Sequence, residues 1–482
     1  MDNSAAVPLP SMLTLADVLE ALTSVRPTRA APIITEATVD SRQVIPGSMF
    51  VAMPGEHVDG HNFVEAAFKR GAILALVEKD LPSHILVVDL RGEFDPEAVA
   101  AIEGPFCLRV SNTLQALQKV AGYWRRKLNL RVIGITGSVG KSTTKELIAE
   151  VLGQRYRTLK NPGNLNNEIG LPLTLLSLSE GHERAVLEMG FYVPGEIQTL
   201  CKLALPQVGV ITNIGTVHAE RAGSVEAIAR GKTELVQSLP PDGWAVLNYD
   251  DLMVREMAEK TQAHVFFYGL DSQADLWADN IDGLGLDGIR FELHYGGEVL
   301  HLHVPMIGRH SVQTVLRAAA VGLVEGLTWQ EIIEGLHSST TQLRLVAMRT
   351  QSGALILDDT YNASPDSTLA ALTLLGELEG HRVAVLGDML ELGQYEQQGH
   401  EMVGARVADI VDELITVGER ARTIARSARL AGLQKEAITE FDDVQKVAEF
   451  LQQRLTAQYV VLIKGSRGMR MDHIVSALES IE

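Results

Sequence analysis

The chain has 482 residues, which by the usual size of domains corresponds to roughly three domains. A formal net charge of −19 argues against a general nucleic-acid or anionic-membrane binder, and no apolar run is long enough to span a membrane. The first residues lack a basic start and an apolar core, so no signal peptide is expected, and the distant Cys107 and Cys201 fit a reducing cytosol. We therefore expect a cytoplasmic monomer with no nucleic-acid or membrane partner.

Alternating apolar runs and helical stretches predict three α/β domains. Residues 1–110 predict a small N-terminal α/β domain, and a helix over Thr113–Lys127 leads into the second domain. Residues 111–341 predict a central domain with a parallel sheet like that of P-loop ATPases, bordered by a β-hairpin with a Gly296-Gly297 turn. Residues 342–482 predict a C-terminal Rossmann-like domain with a doubly wound sheet.

A polar triplet in the first domain, Asp40-Ser41-Arg42, offers an acceptor, a hydroxyl and a guanidinium. These groups are a reasonable set for a nucleotide diphosphate or a ribose. A polar turn with a solvated arginine is an equally good interpretation of the same residues. The triplet alone leaves both interpretations open.

The strongest signal for chemistry is RVIGITGSVGKSTTKELIAE, which runs from Arg131 to Glu150 as strand, glycine loop and helix. Such a loop lets backbone N–H groups close around phosphate oxygens at the positive end of a helix. Lys141 would neutralise the outer phosphates, and the Ser142 hydroxyl would bind Mg²⁺. The general pattern has a glycine where this chain has Ile135, and the alternative is a turn that merely joins strand to helix. The Gly-Lys-Ser ending favours a nucleoside triphosphate site.

Further polar residues follow predicted strands of the central domain. Glu188 ends the strand Ala185–Leu187 and His218 follows the strand Val208–Ile211, so both would lie at the edge where open α/β sheets bind ligands. Glu188 would supply an oxygen ligand to Mg²⁺, whereas His218 is less usual because magnesium prefers oxygen. A solvated cap or a satisfied loop residue is the alternative for both. Lys232, on a predicted helix, is by itself better interpreted as a surface lysine.

Polar residues also follow the strands predicted in the C-terminal domain. They occur in DDTYNASP after the strand Ala354–Leu357, at Gly387-Asp388, and in KGSR from Lys464 to Arg467. Polar residues collected at strand ends indicate a site rather than packing.

Taken together, these segments resemble the Mur ligase family along nearly the whole chain. The resemblance is carried by D-S-R and G-E-x-x-D-G-H-x-F, then T-G-S-x-G-K-S and G-N-L-N-N-E-I-G, then D-D-T-Y-N-A-x-P, L-G-D-M-L-E-L-G and K-G-S-R. The asparagine-rich, D-G-H and M-L-E-L-G stretches are similar to those of members that add D-alanyl-D-alanine. The resemblance implies an ATP-dependent amide ligase of peptidoglycan precursor synthesis. Such an enzyme would phosphorylate the terminal carboxylate of UDP-N-acetylmuramoyl-tripeptide and join D-alanyl-D-alanine to the acyl phosphate.

The resemblance also implies roles for individual residues. The implied catalytic residues are Lys141, Glu188, His218 and Lys232. The residues implied to bind ATP are Thr136, Gly137, Ser138, Val139, Gly140, Lys141, Ser142, Thr143, Arg344 and Asp359. Those implied to bind Mg²⁺ are Ser142, Glu188, His218 and Lys232, the last as a carbamate. The implied substrate contacts are Ser41 and Arg42 for the uridine nucleotide, Asn166, and Asn362 for the incoming dipeptide.

The chain departs from the family pattern at three places. Ser311 and Thr314 stand where relatives have asparagines, one of which recognises adenine. Leu343 replaces a glycine near the interdomain hinge, and Ser364 replaces an asparagine. Two other functions stay open: a related ligase acting on another peptide or a polyglutamate, and a non-catalytic paralogue that binds nucleotide or a partner.

Overall fold

The computed structural model describes residues 12–29, 31–55, 58–338 and 346–479. These residues form a mixed α/β fold with three sheets, which confirms the predicted fold class. The chain is divided into two compact units. The N-terminal unit comprises the described parts of Met1–Gly134, Tyr156–Gly190 and Glu196–Gln207, and the C-terminal unit those of Ile135–Arg155, Phe191–Gly195 and Val208–Glu482. None of the helices in the described ranges is both long and apolar enough to cross a membrane.

The N-terminal unit contains a five-stranded sheet in which all the strands are parallel. In spatial order its strands are Ala37–Thr38, Met49–Val51, Leu74–Val77, Phe106–Arg109 and Val87–Asp89. The strand Leu74–Val77 is buried along its whole length, as expected of an apolar run inside a parallel sheet. Two further parallel strands, Thr158–Lys160 and Arg184–Glu188, pair with each other in the same unit.

The N-terminal unit contains six α-helices among the described residues, and capping residues account for where one of them starts and ends. They are Leu15–Thr23, Val64–Lys69, Pro96–Ala100, Thr113–Lys127, Gly170–Leu176 and Glu196–Ala204. The helix Thr113–Lys127 has the predicted bounds: the Asn112 side chain accepts from the Gln115 N–H at 2.8 Å, and three basic residues occupy the last turn. On its buried face, the Trp124 indole donates to the carbonyl of Leu178 at 2.9 Å. This bond satisfies the ring's polar atom in the core.

In the C-terminal unit, one set of strands begins parallel and ends in a hairpin. Val208–Ile211, Trp244–Asn248, His264–Gly269 and Leu276–Gly283 pair in parallel, and Ile289–Tyr295 and Glu298–Val304 follow antiparallel. We call the last three strands, Leu276–Gly283, Ile289–Tyr295 and Glu298–Val304, the hairpin sheet. Gly296 and Gly297 make the predicted turn with φ of +59° and +85°, the left-handed conformation that two-residue hairpin turns require.

A six-stranded sheet forms the rest of the C-terminal unit. Its spatial order is Val346–Arg349, Leu355–Asp359, Tyr459–Lys464, His381–Gly387, Glu413–Val417 and Ile438–Phe441. Val346–Arg349 is an antiparallel edge and the other strands are parallel. Neighbouring residues of one strand enter different apolar clusters, Ile356 on one face and Leu357 on the other. Both faces are therefore covered, which confirms the predicted doubly wound sheet.

The helices of the C-terminal unit are Lys141–Gly153, Ala219–Ala222, Val225–Gln237, Leu252–Arg255, Val312–Val324, Trp329–Leu336, Pro365–Glu377, Glu396–Val407, Arg422–Leu430, Val444–Gln452 and Asp472–Glu479. Ser224 caps the helix that carries Lys232, because its hydroxyl accepts from the Ala227 N–H at 3.2 Å. Ser364 caps the helix Pro365–Glu377, because its hydroxyl accepts from the Ser367 N–H at 3.3 Å. Serine and asparagine are comparable caps, so this departure from the family pattern leaves the helix start intact.

The sequence predicts two domain boundaries. The one at residues 110 and 111 lies between a strand that ends at Arg109 and a helix that begins at Thr113. The one at residues 341 and 342 lies outside the described residues. Both boundaries stay predictions.

Candidate active site

The glycine loop after the strand Arg131–Thr136 has the backbone that its glycines predict. Gly137 and Gly140 have φ of +148° and +82°, a region that L side chains rarely adopt. A Cβ atom at Gly137 would also overlap the hydroxyl of Thr212. Gly140 is the N-cap of the helix Lys141–Gly153, so the loop ends at the positive end of a helix. This arrangement suits a phosphate group.

Residues after the strand Val208–Ile211 fix the shape of the glycine loop. The Thr212 hydroxyl donates to the carbonyl of Val139 at 2.7 Å. The Val139 N–H donates to Asn213 Oδ1 at 2.9 Å. Val139 is therefore held through both its N–H and its carbonyl, which fixes the two peptide units on either side of it.

Lys141 lies over the same loop. Its Nζ donates to the carbonyls of Gly137 and Ser138 at 2.9 and 3.3 Å. A phosphate oxygen in the loop would accept from Lys141 in place of these neutral carbonyls, and a hydrogen bond between two opposite charges is stronger than one from the same ammonium to a neutral carbonyl. Lys141 therefore lies against the glycine loop, and its contact with nucleotide phosphates stays a prediction.

A cavity of about 340 Å³ lies beside the loop within the C-terminal unit. Small-molecule sites commonly measure about 300–1,000 Å³. Six of the residues predicted to bind the nucleotide line this cavity: Ser138, Val139, Gly140, Lys141, Thr143 and Asp359. Asn362, which is predicted to bind the incoming dipeptide, lines it as well. Thr136 ends the strand before the loop, Gly137 lies in the loop, and Ser142 lies in the first turn of the helix after it. The structure thus brings to one cavity the glycine loop, Asp359 at the end of a strand of the six-stranded sheet, and Asn362 in the loop after that strand.

A buried ion pair holds the side of the cavity contributed by the six-stranded sheet. Lys464 Nζ lies 2.6 Å from Asp359 Oδ2 and donates to the carbonyl of Asn362 at 2.9 Å. Lys464 is 2% exposed and Asp359 16% exposed, so both charges are largely withdrawn from water. Pairing compensates that desolvation and fixes the loop that carries Asn362.

His218 lies in the predicted loop, in a left-handed conformation with φ of +67°. Its Nδ1 lies 2.6 Å from Glu391 Oε2, and the Tyr192 ring meets its ring edge-on at a centroid distance of 4.9 Å. Burial, and then the charge of Lys141, lowers the pKa of His218 below its ordinary value. A neutral imidazole with one nitrogen held by a carboxylate presents the other nitrogen as a lone-pair donor, as metal ligands do.

Lys232 is 1% exposed, so the interpretation as a surface lysine is wrong. Its Nζ lies 4.9 Å from the centroid of the Phe191 ring. Burial, and then the charge of Lys141, holds the pKa of Lys232 well below its ordinary value. A larger fraction of the amine is therefore neutral, and the neutral amine is the form that reacts with CO₂.

In the N-terminal unit, the asparagine-rich loop holds Glu188. The carboxylate accepts from Asn166 Nδ2 at 2.9 Å, and Asn161 bonds to both the N–H and the carbonyl of Glu188 at 2.9 and 3.2 Å. Glu188 is 2% exposed. Asn166 therefore has a structural partner in Glu188, and its contact with substrate stays a prediction.

The triplet Asp40-Ser41-Arg42 forms a closed polar turn. The Arg42 guanidinium and N–H both donate to the Asp40 carboxylate, which lowers the pKa of Asp40 to about 2. The Arg42 side chain is 83% exposed, as the polar-turn interpretation predicts. Contact of Ser41 and Arg42 with a uridine nucleotide stays a prediction. Arg344 and Leu343 lie outside the described residues.

Several polar residues that line the cavity were not predicted from the sequence, among them Arg317, Asp366 and Gln313. Arg317 is 4% exposed and donates to Thr314 Oγ1 at 2.9 Å. Burial raises the pKa of Asp366 above its ordinary value. Gln313 Nε2 donates to Asp250 at 2.6 Å, and its buried Oε1 has no hydrogen-bond partner among the described residues. Of these three residues, only Arg317 could have been recognised from the sequence. A charged residue inside the apolar run VLRAAAVG predicts a buried side chain with a polar contact.

A glycine loop at a sheet edge, with a lysine folded over it and a cavity beside it, defines a nucleoside triphosphate-dependent enzyme of the P-loop kind. The chain matches the Mur ligase family catalytic domain over residues 33–125, the Mur ligase middle domain over 135–322 and the glutamate ligase domain of Mur ligases over 343–467. The chain belongs to the Mur ligase family, and it is an ATP-dependent ligase. The resemblance read from the motifs is thus confirmed.

Individual relatives agree along nearly the whole chain. UDP-N-acetylmuramoyl-tripeptide–D-alanyl-D-alanine ligases of Bacillus subtilis (strain 168) and Escherichia coli (strain K12) are 36% and 32% identical, over 92% of this chain and 93% of each relative. The crystal structure of MurF from Acinetobacter baumannii is similar with a TM-score of 0.82 and 29% identity, covering 98% of this chain and 99% of that one. MurF ligase from Thermotoga maritima in complex with ADP has a TM-score of 0.77 and 28% identity, covering 92% and 97%.

Proposed function

We propose that the chain joins D-alanyl-D-alanine to UDP-N-acetylmuramoyl-tripeptide and converts ATP to ADP and phosphate, a step of peptidoglycan precursor synthesis. The observation that carries this proposal is the similarity, over 92% of the chain, to relatives named for that reaction. The cavity beside the glycine loop supports this proposal, since the loop residues suited to phosphate and other polar side chains line it together. Both cysteines are buried and neither forms a disulfide within the described residues, as suits the reducing cytoplasm in which we place the reaction.

The reaction has two steps. A carboxylate oxygen of the tripeptide attacks the γ-phosphorus of ATP, the bond to ADP breaks, and an acyl phosphate forms. The amine of D-alanyl-D-alanine then attacks the acyl carbon and loses a proton, and phosphate leaves as the amide forms. Carboxylate and γ-phosphate repel each other, so positive charge at the site must offset that repulsion. Lys141 supplies part of this charge from the glycine loop.

Mg²⁺ supplies further charge stabilisation when it is bound. We assign its binding to Ser142, Glu188, His218 and Lys232. A hydroxyl and a carboxylate are the oxygen donors that magnesium prefers, and the Glu188 carboxylate is already held by Asn166. The lowered pKa of Lys232 supports a carbamate there: its neutral amine forms a C–N bond to CO₂ and releases one proton, which leaves one negative charge shared by the two carbamate oxygens.

The remaining predicted residues take their roles under the same proposal. The nucleotide is bound by Thr136, Gly137, Ser138, Val139, Gly140, Lys141, Ser142, Thr143, Asp359 and Arg344. The peptide substrates are bound by Ser41, Arg42, Asn166 and Asn362. We assign the uridine nucleotide to a domain of residues 1–110, ATP to residues 111–341 and the incoming dipeptide to residues 342–482.

A phosphate-release assay tests the reaction. Purified protein receives ATP, Mg²⁺ and UDP-N-acetylmuramoyl-tripeptide, with or without D-alanyl-D-alanine. We expect release to depend on the dipeptide and the peptide product to form in equal amount. A panel of single amino acids and dipeptides separates related ligases, since only the preferred amine stimulates turnover. Release that another amine stimulates more than D-alanyl-D-alanine would contradict the substrate assignment.

A binding measurement separates a ligase from a non-catalytic paralogue. Calorimetric titration with Mg–ATP is followed by the turnover assay on the same protein. We expect both binding and turnover, because the structure gives Thr314 a local role as acceptor for Arg317. Binding without turnover would support the paralogue.

A further inference from the structure

A second cluster of ligand-type side chains lies on the hairpin sheet. Asp279, Glu292 and His294 each offer one ligand atom, and these atoms lie within 4.8 Å of one another. None of the three lines the cavity beside the glycine loop. The cluster is therefore separate from the residues assigned to ATP and Mg²⁺.

Strand register brings the cluster together. Asp279 lies directly opposite Glu292, and Glu292 lies directly opposite His301 on the next strand. His294 lies two residues beyond Glu292 on the same strand, so both side chains point to the same face. The intervening Leu293 is buried, so the cluster occupies the outward face of the hairpin sheet.

The charges on this face favour a cation. Two carboxylates that face each other across an antiparallel pair repel. His294 Nε2 lies 2.9 Å from Asp279 Oδ1, and His301 Nδ1 lies 3.6 Å from Glu292 Oε1. Each carboxylate thus has an imidazole beside it, and a dication bound between them would offset the repulsion.

Packing restricts the direction of two of the ligands. The His294 ring stacks on the Trp277 ring at a centroid distance of 3.7 Å and an interplanar angle of 3°, and the His294 side chain is 18% exposed. The strand register shifts between Asp279 and Asp282, where Asn280 has φ of +46°. Such a bulge redirects the side chains next to it. Ring orientation and carboxylate direction are therefore set by the fold.

We propose that Asp279, Glu292 and His294 bind one transition-metal dication of the Zn²⁺ class, with water completing the coordination and His301 beside it. One imidazole nitrogen and two carboxylate oxygens are donors that Zn²⁺ accepts at about 2.0–2.2 Å. Magnesium prefers oxygen ligands in octahedral geometry, so the histidine selects against it. The bound metal ties Leu276–Gly283 to Ile289–Tyr295, and it is distinct from the magnesium of the ligase reaction.

Calorimetric titration of the metal-free full chain with Zn²⁺ tests the site. The wild type is compared with His294→Gln and with the control His303→Gln, a histidine on the same outward face that bonds to the carbonyl of Asp287 at 2.8 Å. We expect His294→Gln to lose one equivalent of Zn²⁺, or to bind it at least about tenfold more weakly, because even outer-shell changes cost about 10–100-fold. His303→Gln should match the wild type. Equal binding by all three proteins would overturn the proposal.

A second variant guards against a folding defect. Asp279→Asn keeps the shape of the side chain and removes its charge. In thermal unfolding, Zn²⁺ should raise the Tm of the wild type and of His303→Gln but not of Asp279→Asn. Both cluster variants should keep wild-type ligase turnover with Mg–ATP. An equal rise in Tm for Asp279→Asn, or displacement of the bound Zn²⁺ by excess Mg²⁺, would contradict the assignment.

Discussion

Lys232 is buried, and the positive charge of Lys141 adds to the effect of burial in lowering the pKa of its amine. A buried ammonium is costly, so the side chain is a poor cation and a ready nucleophile. We expect Lys232→Ala to lower kcat at least about tenfold, because loss of one transition-state stabilising group commonly costs about 10²–10³. Added bicarbonate should not rescue it. Phosphate release measures the effect.

The matched control for Lys232→Ala is Lys446→Ala, an exposed lysine on the helix Val444–Gln452. The control should retain the wild-type rate. A wild-type rate for Lys232→Ala would remove the carbamate from the proposed reaction, whatever the control shows.

Glu391 fixes the orientation of His218. Its carboxylate oxygen lies 2.6 Å from His218 Nδ1, and both residues have left-handed backbones, with φ of +63° and +67°. Since outer-shell partners of a metal-binding histidine contribute about 10–100-fold, we expect Glu391→Gln to lower kcat about tenfold and to leave the KM for ATP unchanged. Steady-state kinetics measures both constants. Glu396→Gln, a carboxylate of similar exposure, serves as the control, and an equal loss in both variants would contradict the role of Glu391.

Among the helices, Leu15–Thr23 is stabilised by the carboxylate of one residue, Asp17. Asp17 accepts from Thr14 in a capping box and from Arg26 and Lys127 at 2.8 and 2.7 Å. Burial alone would raise the pKa of Asp17, but these hydrogen bonds outweigh it and lower the pKa from 3.8 to about 2. The helix is thereby joined to the last turn of Thr113–Lys127.

This environment predicts how stability changes with pH. Because the folded-state pKa of Asp17 is lowered, its contribution is fully present above the unfolded pKa and is lost as pH falls through the folded pKa. The shift corresponds to about 2 kcal/mol, at about 1.4 kcal/mol per pKa unit. Asp17→Asn should therefore lower the free energy of unfolding by about 2 kcal/mol at neutral pH and by progressively less as the pH falls towards 2.

Urea unfolding of Asp17→Asn at several pH values measures this difference. Asp80→Asn is the control, since Asp80 pairs with Arg109 but is 86% exposed, and exposed pairs contribute about 0–1 kcal/mol. An equal loss in both variants at neutral pH would show that the buried contacts of Asp17 do not matter.

Helices and strands with a regular spacing of apolar residues or a capping residue could be predicted from the sequence. Strands of only a few residues could not. The helix Thr113–Lys127 has an apolar face and an asparagine cap, and its predicted bounds are confirmed. The strand Ala37–Thr38 has two residues, and the edge strand Val346–Arg349 has four and is not buried. Neither carries a pattern that distinguishes it from a loop.

Site residues divide in a similar way. Lys141 and Glu188 follow strands, so the topology of an open sheet predicts where they lie. The contact between Glu391 and His218 joins residues 173 positions apart in the chain, and side-chain contacts of this kind have no local signature. The burial of Lys232 likewise depends on what packs against its helix. The glycine loop and the candidate metal ligands could therefore be predicted from the sequence, but the groups that orient their side chains could not.

For the whole molecule, the net charge of −19 has to be reconciled with anionic substrates. Among the side chains that line the cavity, the cationic groups of Lys141, Arg317 and Lys464 outnumber the carboxyl groups of Asp359 and Asp366. Their charges act at short range, within the roughly 8–10 Å over which salt screens exposed charges. Nucleotide binding should thus depend on individual cations of the cavity rather than on the overall charge.

We expect a ligand-linked stabilisation of the folded chain that depends on Lys141. Mg–ADP at 100 times its Kd should raise the free energy of unfolding by about 2.7 kcal/mol, because it binds the folded chain alone. At the same concentration Lys141→Ala should show a much smaller rise, since the phosphates lose a charge-assisted bond, while Lys446→Ala should match the wild type. Thermal unfolding with and without Mg–ADP measures the three proteins. A full rise in Lys141→Ala would mean that the phosphates do not contact this lysine, and no rise in the wild type would mean that the cavity does not bind the nucleotide.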